Sequence, residues 1–469
     1  MYRLKTFRTS AWIISLLLLL AACRKKDADL KEMDNLVNFE VASQGIAESE
    51  NSIQVKLKLS RAVTSNVGIT VNATLQGLQY GTQFTTIPEM QSGTLNLIIP
   101  SGNNEAVITI SKVPGPAFNG NENIRLDIYS AENPVIIGSN RQYSLTFSEQ
   151  VATSGNATID GGGQYYTNKV FIDLSANRSV GVNRNTWDLG FYSGADFRVT
   201  LNSSMAMMAK QINKNDLTQV TAADTIGFSE DVYFNGTAPT VTSTSYIDYP
   251  NGDLTRTAIA EISANAADNK VYIVNRGVMS GATPVDRGWK KIRIIRNNAG
   301  GYTLQHADIA STTFQEVQIS KDPNYFFKYA SFETGAVNVE PAAMKWDIAW
   351  TYFANVANFG AGDVPYLYQD IIVQNRNVEV ARVMTSTVSY DAFNETNLAG
   401  LSFSGSQIAI GADWRSGGGP GVSPAVRTDR FYVVKDGDGN IYKLRFTGLT
   451  NSSNERGYPS YEMVLVKKG

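Results

Sequence analysis

The feature that most constrains this chain is a short aromatic motif that occurs twice. "WDLGF" begins at Trp187 and "WDIAW" begins at Trp346, 159 positions later. A second pair of similar segments, "KVYIV" and "RFYVV", recurs at an offset of 160. Several landmarks that return in the same order at a nearly constant offset are the signature of an internal repeat. We therefore predict a tandem duplication, with copies over residues 151–320 and 321–469.

Each motif has the alternation of a β-strand with one buried face. Trp187 and Trp346 lead the apolar positions, and we predict that both are buried aromatic residues of the repeated unit. Asp188 and Asp347 follow them directly. We expect these two carboxylates on the opposite strand face or capping a neighbouring turn.

The composition points to one fold class and excludes one class of partner. With 41 basic and 43 acidic residues the chain is nearly neutral, which gives no electrostatic footprint for nucleic acid. Its 39 glycines, 22 tyrosines and many period-two segments favour strands joined by turns. We predict an all-β protein, with an N-terminal β-sandwich followed by two tandem antiparallel β domains.

The first residues resemble a lipoprotein leader. Residues 1–22 have a basic start and an apolar run that is too short to span a bilayer as a helix, so we predict a signal peptide. The run ends in "LAAC", which resembles a bacterial lipobox, and Cys23 is the one cysteine of the chain. We expect Cys23 to be lipidated, residues 23–36 to form a tether, and the protein to be anchored in outer-membrane lipid, exposed at the cell surface.

Residues 37–150 contain apolar alternations separated by Gly, Pro and Asn, which predict a sandwich. The segments "VNFEVASQGIAESENSIQVKLKLS" and "LIIPSGNNEAVITI" resemble the Calx-beta domain, in which some members bind calcium. Glu48 and Glu50 have a suitable early position, but the later Asp pairs of calcium-binding copies are missing, so we expect solvated loop glutamates. "VKDGDGNIYKL" also starts like a calcium loop, yet its twelfth position is Thr447 rather than Glu, so a hairpin is predicted and no calcium is expected.

The repeated motif, the "SFETG" segment before its second copy and "FYVVKDGDGNIYKLRFTGL" resemble the HmuY family of bacterial surface lipoproteins. The resemblance covers most of residues 155–469. It implies an all-β fold and a haemophore role in iron acquisition: haem is held by two axial side chains and passed to a TonB-dependent outer-membrane receptor.

The axial ligands that the family resemblance suggests are only partly available in this sequence. Founding members use two histidines, and this chain has only His306, which we expect on a surface strand. Two-histidine ligation within one chain is therefore excluded.

Two other groups of candidates remain. Thioethers follow the first motif closely, at Met205, Met207 and Met208. These side chains either ligate haem or fill an irregular core. The second copy has Tyr366 and Tyr368 in the corresponding region, as tyrosinate ligands or as packing or glycan-facing groups.

No motif indicates catalysis. The sequence has no P-loop, dinucleotide fingerprint, cysteine nucleophile or metal-type histidine spacing, so we predict no enzyme, no catalytic residue and no metal site. Two functions remain open. One is binding of haem or a related tetrapyrrole and its delivery to a receptor. The alternative is a non-haem cell-surface lipoprotein for glycan or protein binding.

Overall fold

The structure is a computed structural model, and it confirms the all-β prediction. It describes residues 34–47, 50–114, 118, 122–148, 151–228, 241–281, 283, 285–360, 362–417 and 423–469. The predicted signal peptide, Cys23 and most of the predicted tether lie outside these residues. Within the described part of the chain, no helix is long and apolar enough to cross a membrane.

The N-terminal strands form a sandwich of two five-stranded sheets. The strands are β1 (Asn35–Phe39), β2 (Ser43–Gly45), β3 (Ser52–Leu59), β4 (Val67–Gln76), β5 (Phe84–Ile87), β6 (Thr94–Ile99), β7 (Glu105–Lys112), β8 (Asn123–Ala131), β9 (Val135–Ile137) and β10 (Gln142–Thr146). Their orders are β5-β7-β3-β1-β9 and β2-β10-β8-β4-β6. Inward side chains such as Leu57, Val71 and Ile108 are fully buried between the sheets. The pairs β1–β9 and β2–β10 are parallel, and the other pairs are antiparallel.

The remaining strands build four larger sheets and two small hairpins. The strands up to residue 337 are β11 (Ser154–Thr158), β12 (Asn168–Asp173), β13 (Arg178–Asn183), β14 (Leu189–Tyr192), β15 (Val199–Leu201), β16 (Met208–Gln211), β17 (Tyr272–Asn275), β18 (Val278–Met279), β19 (Val285–Asp286), β20 (Trp289–Arg296), β21 (Tyr302–Asp308), β22 (Gln315–Ile319), β23 (Phe327–Ser331) and β24 (Gly335–Val337). Those after it are β25 (Ile348–Asn358), β26 (Asp363–Gln374), β27 (Glu379–Met384), β28 (Arg415–Ser416), β29 (Ala425–Val426), β30 (Arg430–Lys435), β31 (Ile441–Thr450) and β32 (Arg456–Lys467).

Short 3₁₀ helices lie between these strands. They span Gly163–Tyr165, Arg184–Thr186, Ser203–Met205, Leu217–Gln219, Ala222–Thr225, Val241–Tyr246, Leu254–Arg256, Ala266–Asp268 and Glu395–Gly400.

The sheets join strands from both predicted copies. The hairpin β12–β13 of the first copy pairs with β25 of the second, with Phe171 opposite Ala349. Conversely, the hairpin β23–β24 of the second copy pairs with β14 of the first, with Leu189 opposite Ala330. Strand β11 adds to the sheet of β27, β30, β31 and β32. The two copies therefore share their sheets. The boundary at residue 320 stays a prediction, and it does not separate two independent sets of strands.

The aspartate in each tryptophan motif accepts a hydrogen bond from the hairpin that the other copy contributes. The amide of Phe332, just after β23, donates to Asp188 Oδ2 at 2.9 Å. In the other half the amide of Leu174, just after β12, donates to Asp347 Oδ2 at 2.7 Å. Each aspartate thus fixes the end of the hairpin contributed by the opposite copy.

A buried asparagine supports each tryptophan motif in the same way. The Asn202 side chain donates to the carbonyls of Arg184 and Trp187, at 2.9 Å in both cases. The Asn375 side chain donates to the carbonyls of Ala343 and Trp346 at 2.8 and 2.9 Å. These paired contacts tie each tryptophan motif to an asparagine that lies outside it.

Lysines on corresponding strands are also buried in both halves. Lys291 on β20 donates to the carbonyls of Val220 and Ser311, and Lys443 on β31 donates to that of Tyr390 at 2.7 Å. Backbone carbonyls rather than carboxylates therefore satisfy both ammonium groups.

The sandwich touches the rest of the molecule through polar contacts. Glu50 pairs with Arg178 of β13, and its other oxygen accepts the amide of Ala47 at 3.0 Å. Glu50 is therefore not the free loop carboxylate that we expected, because an ion pair to the next unit holds it. Glu48 lies outside the described residues.

Candidate functional site

The three candidate methionines lie in the core. Met205, Met207 and Met208 are each no more than 1% exposed. Met205 and Met207 pack in the cluster that contains Ile292, while Met208 packs against Ile247 and Ala354. The Met205 sulfur lies 3.5 Å from Nη1 of the buried Arg184. The structure thus places all three thioethers in packing positions, and haem ligation by them stays a prediction.

The β25–β26 hairpin presents the two candidate tyrosines differently. Tyr366 and Tyr368 are half-buried, and their rings meet edge-on at 4.9 Å between centroids. Phe359 at the hairpin tip meets Tyr366 at 5.5 Å and is 70% exposed. In the strand register Tyr366 is opposite Asn355 and Tyr368 is opposite Phe353, so both rings lie on one face of the hairpin. We call Phe359, Tyr366 and Tyr368 the aromatic face.

Burial and nearby charges affect the Tyr368 phenol. Burial raises the pKa of Tyr368, the neighbouring Tyr366 raises it further, and the Arg415 guanidinium lowers it. On balance the pKa of Tyr368 is raised, so Arg415 only partly offsets the burial that opposes the tyrosinate, which is the form that binds ferric haem. Among the described residues, no hydrogen-bond partner occupies the phenol oxygen of either tyrosine.

A groove of about 390 Å³ lies on the other side of the hairpin. Val356 lines it from β25, and strand alternation puts Val356 on the face opposite Asn355 and Tyr366. Arg256 stands at its edge, stacked at 3.3 Å on the ring of Tyr249. The groove falls in the size range of small-molecule sites. It offers a site that the sequence analysis missed.

Between the two tryptophan motifs lies a smaller cavity of about 90 Å³. Trp187 and Trp346 are 5% and 6% exposed and both line it, so the prediction that they are buried is confirmed. Each indole packs edge-on against a ring from the exchanged hairpin, Trp187 on Tyr329 at 4.9 Å and Trp346 on Phe171 at 5.0 Å. These contacts repeat the interlocked arrangement.

The motif aspartates sit in opposite electrostatic surroundings. Asp188 is fully buried, and Arg276 and Arg287 donate to its oxygens at 2.9 to 3.2 Å. Asp347 instead lies near Asp173, and burial together with that neighbouring carboxylate raises its pKa well above the ordinary value. Both aspartates are buried structural groups rather than solvent-facing ones.

His306 does not lie on the surface, so that expectation was wrong. It is 3% exposed on β21, and its ring lies 5.3 Å from that of Phe332. Burial lowers its pKa, and the charges of Lys290 and Arg276 lower it further. A neutral, enclosed imidazole with this environment is a packing residue.

The "DGDG" segment forms the predicted hairpin between β30 and β31. The Asp436 carboxylate accepts the amides of Asp438 and Asn440 at 3.0 and 2.7 Å, so the turn itself satisfies it. Within the described chain, no group of three or more His, Cys, Asp or Glu side chains could hold a metal ion.

Sequence reasoning missed Phe359, Arg256 and the cavity. The glycine-rich "NFGAGD" between two alternating segments is a hairpin signal, and it identifies Phe359 as a tip residue. Arg256 and the cavity depend on contacts between distant segments, which no local pattern shows.

Comparisons with solved structures give only remote similarity. A protein described as HmuY-like and heme-binding from Bacteroides vulgatus is 10% identical, with 68% of this chain and 94% of that chain covered and a TM-score of 0.19. A protein described as carbohydrate-binding from Bacteroides ovatus is 11% identical, with 72% and 93% covered and a TM-score of 0.17. The apo Calx CBD1 domain is 12% identical, with 24% and 96% covered and a TM-score of 0.20. At these values none of them supports an inference about this chain.

The family comparison is more informative. No curated protein matches the chain. The model of the HmuY protein family matches residues 165–463, which is more than half of the chain and includes both tryptophan motifs. The chain belongs to the HmuY family.

Proposed function

We propose that this protein binds haem or a related tetrapyrrole at the aromatic face of the β25–β26 hairpin. The observation that carries the proposal is the cluster formed by the exposed Phe359 and the half-buried Tyr366 and Tyr368 in a chain of the HmuY family. Aromatic rings stack on a planar macrocycle, and a phenolate supplies an axial oxygen to ferric iron. The buried methionines would have to leave the core to reach a ligand.

The two tyrosines differ in their suitability as ligand. Tyr368 lies closer to the hairpin base, where the Arg415 guanidinium partly offsets the rise in its pKa that burial and Tyr366 cause. Tyr366 lies between Phe359 and Tyr368 and is placed for stacking. We therefore assign Tyr368 as the axial ligand and Tyr366 as a stacking residue.

Haemin titration of the soluble chain of residues 27–469 tests this assignment. We expect saturable binding with the absorption spectrum of a ferric tyrosinate complex. Tyr368→Phe should abolish that spectrum, because the phenol oxygen is lost while the ring remains. Tyr366→Phe should keep the spectrum, since stacking needs only the ring.

Two control variants locate the site if the tyrosines are not involved. Replacing Met205, Met207 and Met208 by Leu keeps core volume while removing the thioethers. Arg256→Ala alters the groove on the opposite hairpin face. Loss of binding in the methionine variant, with Tyr368→Phe unaffected, would return the ligands to the thioethers. Loss in Arg256→Ala alone would place the tetrapyrrole in the groove. Either result would contradict the assignment.

We further propose that Cys23 anchors the protein in the outer membrane, that residues 23–36 tether it at the cell surface, and that it passes haem to a TonB-dependent receptor in iron acquisition. The single cysteine after an apolar leader supports the anchor. The solvent-facing position of the aromatic face supports the transfer step, because a receptor can reach cargo there without unfolding the donor.

A second candidate function is glycan or protein binding by a surface lipoprotein without haem. One observation favours it. A cavity of about 330 Å³ lies between the N-terminal sandwich and β13, with polar lining that includes Gln44, Gln54, Lys56 and Arg178. Ligand sites often lie between domains. Absence of any saturable haemin binding would make this the function to pursue.

A further inference from the structure

Aromatic side chains form a large part of the lining of the cavity between the tryptophan motifs. Six aromatic side chains border its volume of about 90 Å³: Trp187, Tyr249, Phe327, Tyr329, Trp346 and Phe353. Pockets for drug-sized ligands begin at roughly 300 Å³, so this space is too small for a tetrapyrrole. It has room for a small organic molecule or several waters.

Besides Asp253 at the rim, two carboxyl groups line the same cavity. Glu340 accepts the amide of Phe327 at 2.8 Å and the phenol of Tyr329 at 2.9 Å. Asp248 accepts the amides of Leu201 and Ala258 at 2.7 and 3.0 Å. Within the described part of the chain, neither group forms an ion pair at 4.0 Å or less. Burial raises the pKa of Glu340 to about 7 and that of Asp248 to about 7.

One amine, that of Lys169, lines the same cavity and interacts electrostatically with Glu340. The Lys169 ammonium lies 4.9 Å from the centre of the Phe171 ring, and burial lowers its pKa to about 8. At the rim, the exposed cation of Arg376 and the half-buried carboxylate of Asp253 carry opposite charges. With all groups ionised, Lys169 offsets only one of the two inner carboxylates, which leaves one negative charge without compensation.

We propose that this cavity binds a small organic ammonium ion, with Glu340 and Asp248 as counter-charges and the rings of Trp187 and Trp346 as cation–π walls. Indole faces attract ammonium groups, and a desolvated site strengthens this attraction. The buried carboxylates disfavour an anion, because two like charges would face it. None of Phe359, Tyr366 and Tyr368 lines this cavity, so the proposal does not depend on haem binding.

The proposal predicts a definite pH dependence. An ammonium ion stabilises the ionised carboxyl groups, so binding releases protons and the affinity rises from pH 6 to pH 8. Lys169 acts in the same direction, since its loss of charge near pH 8 removes the competing cation. Tyr329 stays protonated over this range, because burial raises its pKa well above the ordinary value.

The test uses the full chain with trimethylammonium chloride as the probe and tert-butanol as a neutral molecule of similar shape, at constant ionic strength. Calorimetry and indole fluorescence measure binding, and the fluorescence includes the signals of Trp187 and Trp346. We expect trimethylammonium to bind more tightly than tert-butanol by at least about fivefold. Equal affinities for the two probes, or no saturable binding of trimethylammonium, would overturn the proposal.

Two variants with opposite expected effects make the test independent of folding. Glu340→Gln removes a counter-charge and should weaken trimethylammonium binding by roughly tenfold, while Lys169→Met removes the competing cation and should strengthen it severalfold. Asp308→Asn, which alters an exposed ion pair with Lys290, is the matched control and should change nothing. Weaker binding in Lys169→Met would show that Lys169 does not compete with the ligand for the carboxylates, and unchanged binding in Glu340→Gln would show that Glu340 is not a counter-charge. Either outcome refutes the inference.

Discussion

The two motif aspartates should respond in opposite ways to the same substitution. Asp188→Asn removes the charge that compensates Arg276 and Arg287, whose guanidinium groups stay buried at the site. Breaking a buried ion pair by neutralising one partner costs about 3–5 kcal/mol. Asp347→Asn instead removes a carboxyl group whose neighbour is Asp173, and the amide oxygen can still accept the Leu174 amide.

The raised pKa of Asp347 determines whether Asp347→Asn stabilises or destabilises the folded protein. Its folded-state pKa is raised well above the ordinary value of 3.8, so the folded state holds the proton more strongly than the unfolded state does. The native protein therefore loses stability as pH rises above that ordinary value. Asp347→Asn should abolish this loss, and at pH 7 it should be neutral or stabilising.

Urea unfolding followed by tryptophan fluorescence measures both effects. Apart from Trp12 in the leader, every tryptophan lies between residues 187 and 414, so the signal reports on the interlocked unit and not on the sandwich. With a slope of about 3 kcal/mol per molar urea, the expected cost of Asp188→Asn lowers the midpoint by roughly 1 M or more. Equal losses in the two variants, or a larger loss in Asp347→Asn, would refute the electrostatic contrast.

Three other predictions concern individual side chains. Asn202→Ala and Asn375→Ala should each cost about 1–3 kcal/mol in urea unfolding at pH 7, because each removes the asparagine donor from two backbone carbonyls, of which that of Trp187 keeps a longer bond from Arg287. A loss confined to one variant would show that the paired contacts are not equivalent. The folded-state pKa of Glu340 is about 7, against an ordinary 4.5, so its ionisation removes about 3 kcal/mol of stability between pH 4.5 and 8, and Glu340→Gln should flatten that decline in a pH series of unfolding curves. Cys23→Ala should move the protein from the membrane to the soluble fraction and prevent labelling with radioactive palmitate, whereas continued membrane attachment would contradict lipidation at this residue.

The sequence predicts the strands well and their partners poorly. Alternation at Leu189 or Ile348 is local, so the β-structure around each tryptophan is visible from the residue pattern alone. The segments of β12 and β23 carry the same kind of pattern, and nothing local says that each pairs with the strand of the other copy. That exchange depends on contacts across more than 130 residues, such as the Phe332 amide to Asp188, for which the separation is 144.

The candidate site shows the same limit. Alternation through Tyr302, Leu304 and His306 placed the imidazole on a buried strand face, a signal that the assumption of a surface strand overlooked. The methionine cluster could be read either as core or as ligands, and only packing distinguishes the two. Glu340 and Lys169 are candidate site residues because both line a cavity between distant segments, and no spacing in the sequence predicts that cavity.

The central claim is that the hairpin carries a tetrapyrrole on Tyr368. Resonance Raman spectroscopy of the ferric haemin complex of residues 27–469 tests it most directly, because an iron-bound tyrosinate has vibrations that no histidine or methionine complex shares. We predict these bands in the native protein and in Tyr366→Phe, and their absence in Tyr368→Phe. A complex without tyrosinate bands, or one whose bands persist in Tyr368→Phe, would contradict the account.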